Sequence, residues 1–257
     1  MCELFGYDGK NRIELNEYLK LFYSHSMDHP HGWGIADMND GIVNIEKEPV
    51  QATRSQYLKN RLSVPVCSNR LFSHIRYATI GNIDYCNCHP FQKRDSMGRD
   101  WVLMHNGTVF SYEKFDGYTQ GLQGETDSEK ILFYFVDRIE QEEDKCGRKL
   151  DSRERFDVLD EIVVDMSAGN KLNLMFSDGE MMYVHYNLRD TLHYRRDEDG
   201  ILFSTYPLER QGWQKAPFMQ LMAFSNGELK YTGTAHSNEY RENTENIQFL
   251  YRIFAGL

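Results

Sequence analysis

Met1-Cys2-Glu3-Leu4-Phe5-Gly6 puts a thiol directly behind the initiator methionine. A side chain as small as cysteine permits methionine removal, which would leave the thiol and a free α-amino group on one residue. A thiol is only a few per cent ionised near neutral pH, whereas an α-amino group with an ordinary pKa of about 7.7–8.0 can take its proton within the same residue. No distant histidine is then required. The plainer reading makes Cys2 a small buried hydrophobe, with Leu4 and Phe5 beginning an ordinary core strand. The rest of the chain decides between the two.

The chain has 257 residues, enough for one large domain or two small ones, and no linker argues for two. A formal charge of −10 disfavours nucleic acid as a partner, because phosphate binding draws on clustered Lys and Arg. Apolar runs stop well short of the ~20 residues of a membrane span. Glu3, Asp8 and Lys10 stand where a secretory signal would be apolar. Cys2, Cys67, Cys86, Cys88 and Cys146 form no disulfide framework, so a reduced, cytoplasmic protein is expected. No cofactor is expected.

Past the first strand, Ile13, Leu15, Tyr18, Leu19 and Phe22 fall near helical spacing. Asn39-Asp40-Gly41 turns a strand over 33–38 into another over 42–46, and a helix is expected over 55–62. His25, His29 and His31 share a Pro-containing loop, and Cys86-Asn87-Cys88-His89 supplies at most half a zinc site, so no metal is assigned. Alternation over 71–79 suggests a strand with Arg76 emerging near its end, where the planar guanidinium could hold a carboxylate or simply form a surface ion pair. Trp101 to Met104 runs into His105-Asn106-Gly107, which is either a tight turn or a pair of donors converging on an oxyanion. In Gly124-Glu125-Thr126-Asp127-Ser128-Glu129, Thr126 or Asp127 can cap a helix with Ile131, Leu132, Phe135, Val136 and Ile139 on its apolar face. Phe156, Leu159, Ile162, Val163 and Met166 predict a second helix, and hairpins about Asp178-Gly179, Asp199-Gly200 and Asn226-Gly227 predict more strands. Strands, two helices and strands again favour a layered α+β sandwich, with a helical tail from Asn243.

Met-Cys-Glu-Leu-Phe-Gly, Ser73-His74-Ile75-Arg76-Tyr77-Ala78-Thr79, His105-Asn106-Gly107 and Gly124 to Glu129 occur in the order and spacing seen in class II glutamine amidotransferases. His31-Gly32-Trp33-Gly34-Ile35, His89-Pro90-Phe91, Phe176-Ser177-Asp178-Gly179 and Trp213-Gln214-Lys215 extend the likeness over most of the chain. It resembles the single-domain, YafJ-like branch most closely. The resemblance implies the four-layer αββα sandwich of N-terminal-nucleophile hydrolases, as one domain over residues 1–257 with 236–257 a helical extension. It makes Cys2 the nucleophile and its own α-amine the base, with Asn106 and Gly107 as the oxyanion hole. Arg76 would hold the α-carboxylate of glutamine and Asp127 its α-ammonium, with Tyr77, Thr79 and His74 in the substrate-binding set. Ile80 stands where synthase-linked relatives have histidine, so that histidine's role is missing.

The expected chemistry is cleavage of the side-chain amide of glutamine, or of a related γ-glutamyl amide, through a Cys2 thioester. Glutaminase action alone and ammonia delivery to a separate synthase subunit both stay open. The alternative is a non-catalytic or metal-stabilised interaction domain that keeps the fold, with the histidine loop and Cys86, Cys88 and His89 as ligands.

Overall fold

Period-two alternation in the opening stretch becomes strand β1 (Glu3–Glu14), whose two faces meet different layers. Leu4 joins the apolar layer between two sheets, while Phe5 and Tyr7 pack under helices. A side chain at Gly6 would meet Met175 of the opposite sheet at 2.9 Å, so glycine lets the sheets close. The computed structural model describes residues 2–118 and 121–254, the side chains of 251–254 excepted. Met1 and the last three residues of the expected helical tail lie outside them.

The other strands are β2 (Trp33–Asn39), β3 (Ile42–Glu48), β4 (Cys67–Ile75), β5 (Phe91–Arg94), β6 (Asp100–His105), β7 (Leu174–Ser177) and β8 (Met182–His185). They are followed by β9 (His193–Arg196), β10 (Gly200–Ser204), β11 (Gln214–Lys215), β12 (Met222–Ser225) and β13 (Glu228–Thr232). Among the described residues they form two sheets, in the orders β11-β9-β10-β1-β4-β2-β3 and β13-β12-β8-β7-β6-β5, and every pairing is antiparallel. Phe72, Met104, Met175 and Val184 fill the space between the sheets.

Helices α1 (Asn16–Ser24) and α2 (Gln56–Arg61) cover the first sheet through Leu19, Phe22 and Leu58. Helices α3 (Asp127–Cys146) and α4 (Ser152–Met166) cover the second through Ile131, Phe135, Ile139, Phe156 and Val163. Their starts are local: Thr126 accepts from the Glu129 N-H at 3.2 Å, and Asp151 and Glu154 form a reciprocal capping box. Gly147, at φ 65°, ends α3. The result is the αββα sandwich of the N-terminal-nucleophile hydrolases.

Three expected boundaries move. β1 runs on to Glu14, so Ile13 belongs to the strand rather than to the helix. β4 stops at Ile75 rather than 79: the Arg76 N-H still meets the Gly32 carbonyl in register at 2.8 Å, but the Arg76 carbonyl accepts from His31 instead of Gly32, and the ladder ends there. The tail is not helical from its start: residues 236–243 run without regular structure, and only α5 (Thr244–Phe254) is helix. Body groups satisfy that stretch, the Tyr240 N-H bonding the Asn187 carbonyl at 2.8 Å and the Asn187 amide the Asn238 carbonyl at 3.0 Å.

Candidate active site

Because β1 lies between β10 and β4 with Glu3 opposite Ile75, Cys2 emerges where β4 gives way to Arg76 and Tyr77. The Tyr77 N-H points at Cys2 Sγ from 3.3 Å, and the Tyr77 carbonyl is 3.4 Å from the same sulfur. Burial pushes the thiol pKa up, and the Tyr77 contact with the charges of Arg76 and Lys171 offsets this only in part. A thiol so placed needs a base.

The second sheet delivers Asn106 and Gly107 at the C-terminal end of β6. The stretch is pinned on both sides, the Asn106 N-H to the Asn173 carbonyl at 2.9 Å and the Thr108 N-H to the Lys171 carbonyl at 3.0 Å. A Cβ on Gly107 would lie 2.0 Å from the Lys171 carbonyl oxygen and 2.2 Å from His105 Nε2, so only glycine fits. Lys171 Nζ donates to Asn106 Oδ1 at 3.2 Å. An ammonium can only donate, so this bond fixes which end of the amide is oxygen and leaves Nδ2 as the other. That Nδ2 is buried without an acceptor among the described residues. A buried donor without a partner is costly, and one beside a candidate nucleophile calls for a functional explanation.

Cys2, Tyr77, Thr79, Asn106 and Gly107 line one small cavity of about 60 Å³. The three other expected site residues are not among its lining. Arg76 is buried beside it, with its guanidinium donating to the carbonyls of Ile80, Gly81 and Asn82 at 2.9–3.1 Å. Asp127 is the first residue of α3; its carboxylate accepts from the Val109 N-H at 2.7 Å and the Ser128 N-H at 3.0 Å. It stands 4.0 Å from the His105 ring, one residue from Asn106. His74 faces the sandwich interior, fully buried and stacked on His89 at 4.1 Å. Burial holds both imidazoles well below their ordinary pKa, hence neutral.

Thr108 and Phe110, together with Lys171, Tyr240, Glu242 and Leu250, complete the wall, and the last four were given no site role from the sequence. Lys171 is one lysine ahead of a strand, and the other three reach the cavity from a segment far along the chain. No local pattern marks such residues.

The histidine loop is accounted for by other bonds. His25 Nδ1 and His29 Nε2 each lie 2.9 Å from a different oxygen of buried Glu3, and His31 Nδ1 accepts from the Ala78 N-H at 2.9 Å. Cys88 Sγ points to the Asp84 carbonyl at 3.4 Å. Among the described residues no group of three His, Cys, Asp or Glu side chains could hold a metal ion. No described helix is long and apolar enough to cross a membrane.

Residues 1–199 match the family model of class-II glutamine amidotransferases. The chain is 32% identical to an uncharacterized protein of Methanocaldococcus jannaschii over 90% of its own length and 71% of the relative's. It is 27% identical to YafJ of Escherichia coli, which is named provisionally as a glutamine amidotransferase, over 73% of this chain and 74% of that one. Among solved structures, a predicted glutamine amidotransferase of Pseudomonas aeruginosa superposes with a TM-score of 0.65 at 19% identity, covering 89% of this chain and 99% of the other. That likeness shows the fold.

Proposed function

The chain belongs to the class II glutamine amidotransferases, and on that premise we propose that it hydrolyses the side-chain amide of glutamine or of a closely related γ-glutamyl amide through a thioester on Cys2. The observation that carries this reading is the orphaned Asn106 Nδ2 in the wall of the cavity that holds Cys2. A donor held in place with no acceptor, beside a nucleophile, suits an oxygen that becomes negative only during reaction.

Once Met1 is removed, the Cys2 α-amine takes the thiol proton and the sulfur attacks the amide carbon. The carbonyl oxygen gains negative charge, facing the Asn106 Nδ2-H and the Gly107 N-H. As the oxyanion collapses, the carbon–nitrogen bond breaks, and the leaving nitrogen takes the proton from the α-ammonium and departs as ammonia or an amine. Water then gives a proton to the α-amine and attacks the thioester; the carbon–sulfur bond breaks, the thiol recovers its proton, and a γ-carboxylate is released. The sum is amide plus water to acid plus amine.

Arg76 and Asp127 are the groups proposed to read the α-carboxylate and α-ammonium. For Arg76 this requires the 80–82 carbonyls to yield their hydrogen bonds to substrate. Tyr77 and Thr79 form the wall beside the reacting carbon, and His74 supports that wall from the interior, donating toward the His105 carbonyl at 3.4 Å. A separate synthase that consumes the ammonia is an open partner.

A panel of γ-glutamyl amides, with ammonia or amine release as the readout, tests the proposal against Cys2→Ala. Release by the native protein and none by the variant is expected. Retained release in Cys2→Ala would reject it.

A further inference from the structure

The cation in the cavity wall belongs to a residue that the mechanism above does not use. Lys171 is buried, yet its ammonium lies 3.2 Å from Asn106 Oδ1, and its backbone carbonyl accepts from the Thr108 N-H at 3.0 Å and lies 3.1 Å from His105 Nε2. One residue therefore fixes both halves of the oxyanion hole. Its main chain sets the path of Gly107, where even a methyl group would collide with the Lys171 carbonyl. Its side chain selects the rotamer in which Asn106 turns Nδ2 away from the ammonium.

We propose that Lys171 is a positioning residue of this active site, locking the Asn106 amide and polarising it by donating to Oδ1, so that Nδ2-H becomes a stronger donor to the oxyanion. This deepens the function proposed above and rests on it. Hydrogen bonds in a chain reinforce one another, and a charged donor at one end strengthens the far end. An ammonium is also costly to bury unless negative charge is close by. The thiolate and the oxyanion supply that charge when it matters, and Glu242 faces Lys171 from the C-terminal segment. Burial pulls the Lys171 pKa down to about 8, which brings its loss of charge into a range an activity profile can reach.

Among the described residues, the titratable groups around Lys171 include Cys2 at the end of β1, whose α-amine methionine removal would free, His105 on β6, Glu242, and Tyr77 and Tyr240 in the same cavity lining. Burial pushes the His105 pKa below its ordinary value, and Glu242 brings an acidic side chain to the facing segment. The α-amine must be neutral to act as base, so it raises the rate with pH, whereas Lys171 must be charged and lowers the rate above about pH 8.

The test is steady-state hydrolysis of the best γ-glutamyl amide by wild type, Lys171→Met, Lys171→Arg, Asn106→Ala and the Lys171→Met/Asn106→Ala double variant. Lys171→Met should lower kcat by about 10²-fold, with KM changed less than about threefold. The double variant should be no more than about threefold worse than Asn106→Ala, because the lysine acts through the asparagine. Lys171→Arg, which keeps the charge and a donor, should recover at least about tenfold of the loss and abolish the fall in kcat above pH 8. It also serves as the test if Lys171→Met does not fold. Losses that multiply in the double variant, or an alkaline limb that Lys171→Arg leaves in place, would overturn the inference while the function stands. A wild type that cleaves no γ-glutamyl amide removes the function and this inference together.

Discussion

Lys171 should cost the fold stability at neutral pH, and that cost should fade in alkali. Lysine titrates near 10.5 in an unfolded chain and at about 8 in this cavity. At about 1.4 kcal/mol per tenfold change in proton affinity, keeping the ammonium charged in the fold at pH 7 costs on the order of 3 kcal/mol. Between the two pKa values the unfolded chain binds more protons than the folded one, so stability rises with pH across that window. At pH 9.5 the folded lysine is neutral and the remaining cost is on the order of 1 kcal/mol. Urea unfolding at pH 7 and pH 9.5 of Cys2→Ala and Cys2→Ala/Lys171→Met measures the difference without interference from thiol ionisation. The lysine protein should gain about 2 kcal/mol on its methionine counterpart between the two conditions. The hydrogen bond to Asn106 Oδ1 survives deprotonation, so its contribution largely cancels. An unchanged difference would mean that Lys171 is not held as a buried cation, and would remove the electrostatic part of its proposed role.

Asn106→Ala should lower kcat by about 10²–10³-fold while KM stays within about threefold, since the amide contributes in the transition state rather than in the ground state; a KM effect alone would refute its assignment. Gly107→Ala must push the Lys171 backbone away from a Cβ that would sit 2.0 Å from its carbonyl, so unfolding in urea should show a loss of several kcal/mol together with inactivity. Asp178 accepts from Arg155 Nε at 2.8 Å, the Tyr183 hydroxyl at 2.7 Å and the Met181 N-H at 2.7 Å. Asp178→Ala leaves the buried Arg155 guanidinium only Glu180 at 2.6 Å and the Leu150 carbonyl at 2.8 Å, and should cost about 1–3 kcal/mol, with kcat per folded molecule unchanged. The Glu3 hydrogen bond raises the His25 pKa, so its stabilisation is full below the unfolded value near 6.5 and is lost as pH rises through the folded one. His25→Ala should therefore lower stability at pH 5.5–6 by up to about 1 kcal/mol and by less at pH 8.5, a modest effect because the ring is half exposed.

The cap of α3 was legible as Thr126 or Asp127 because capping is local, and so were the hairpins, whose turn residues are set by a few neighbouring dihedrals; the cap is Thr126. The segment proposed as the oxyanion hole was legible as a strand running into Asn106-Gly107. The end of β4 was not. Alternation across 71–79 placed His74 and Arg76 on one face, and the Arg76 N-H still meets Gly32 in register, but the next bond comes from His31 and the ladder ends before Tyr77 to Thr79. His74 faces the interior, stacked on His89. Period two separates the faces of a strand without saying which of them meets the other sheet. Lys171, Tyr240, Glu242 and Leu250 converge through tertiary packing, and no spacing encodes that. The phrase Phe176-Ser177-Asp178-Gly179 was legible as part of a family pattern, while its physical role, an acceptor for buried Arg155, needed coordinates.

Acid-quenched mass analysis of native protein mixed with an active γ-glutamyl amide addresses the nucleophile itself. A single glutamyl adduct on a peptide that begins at Cys2, absent from Cys2→Ala, is the predicted result. Turnover without any adduct at Cys2, or an adduct on a chain that still carries Met1, would contradict an N-terminal thiol working with its own amine.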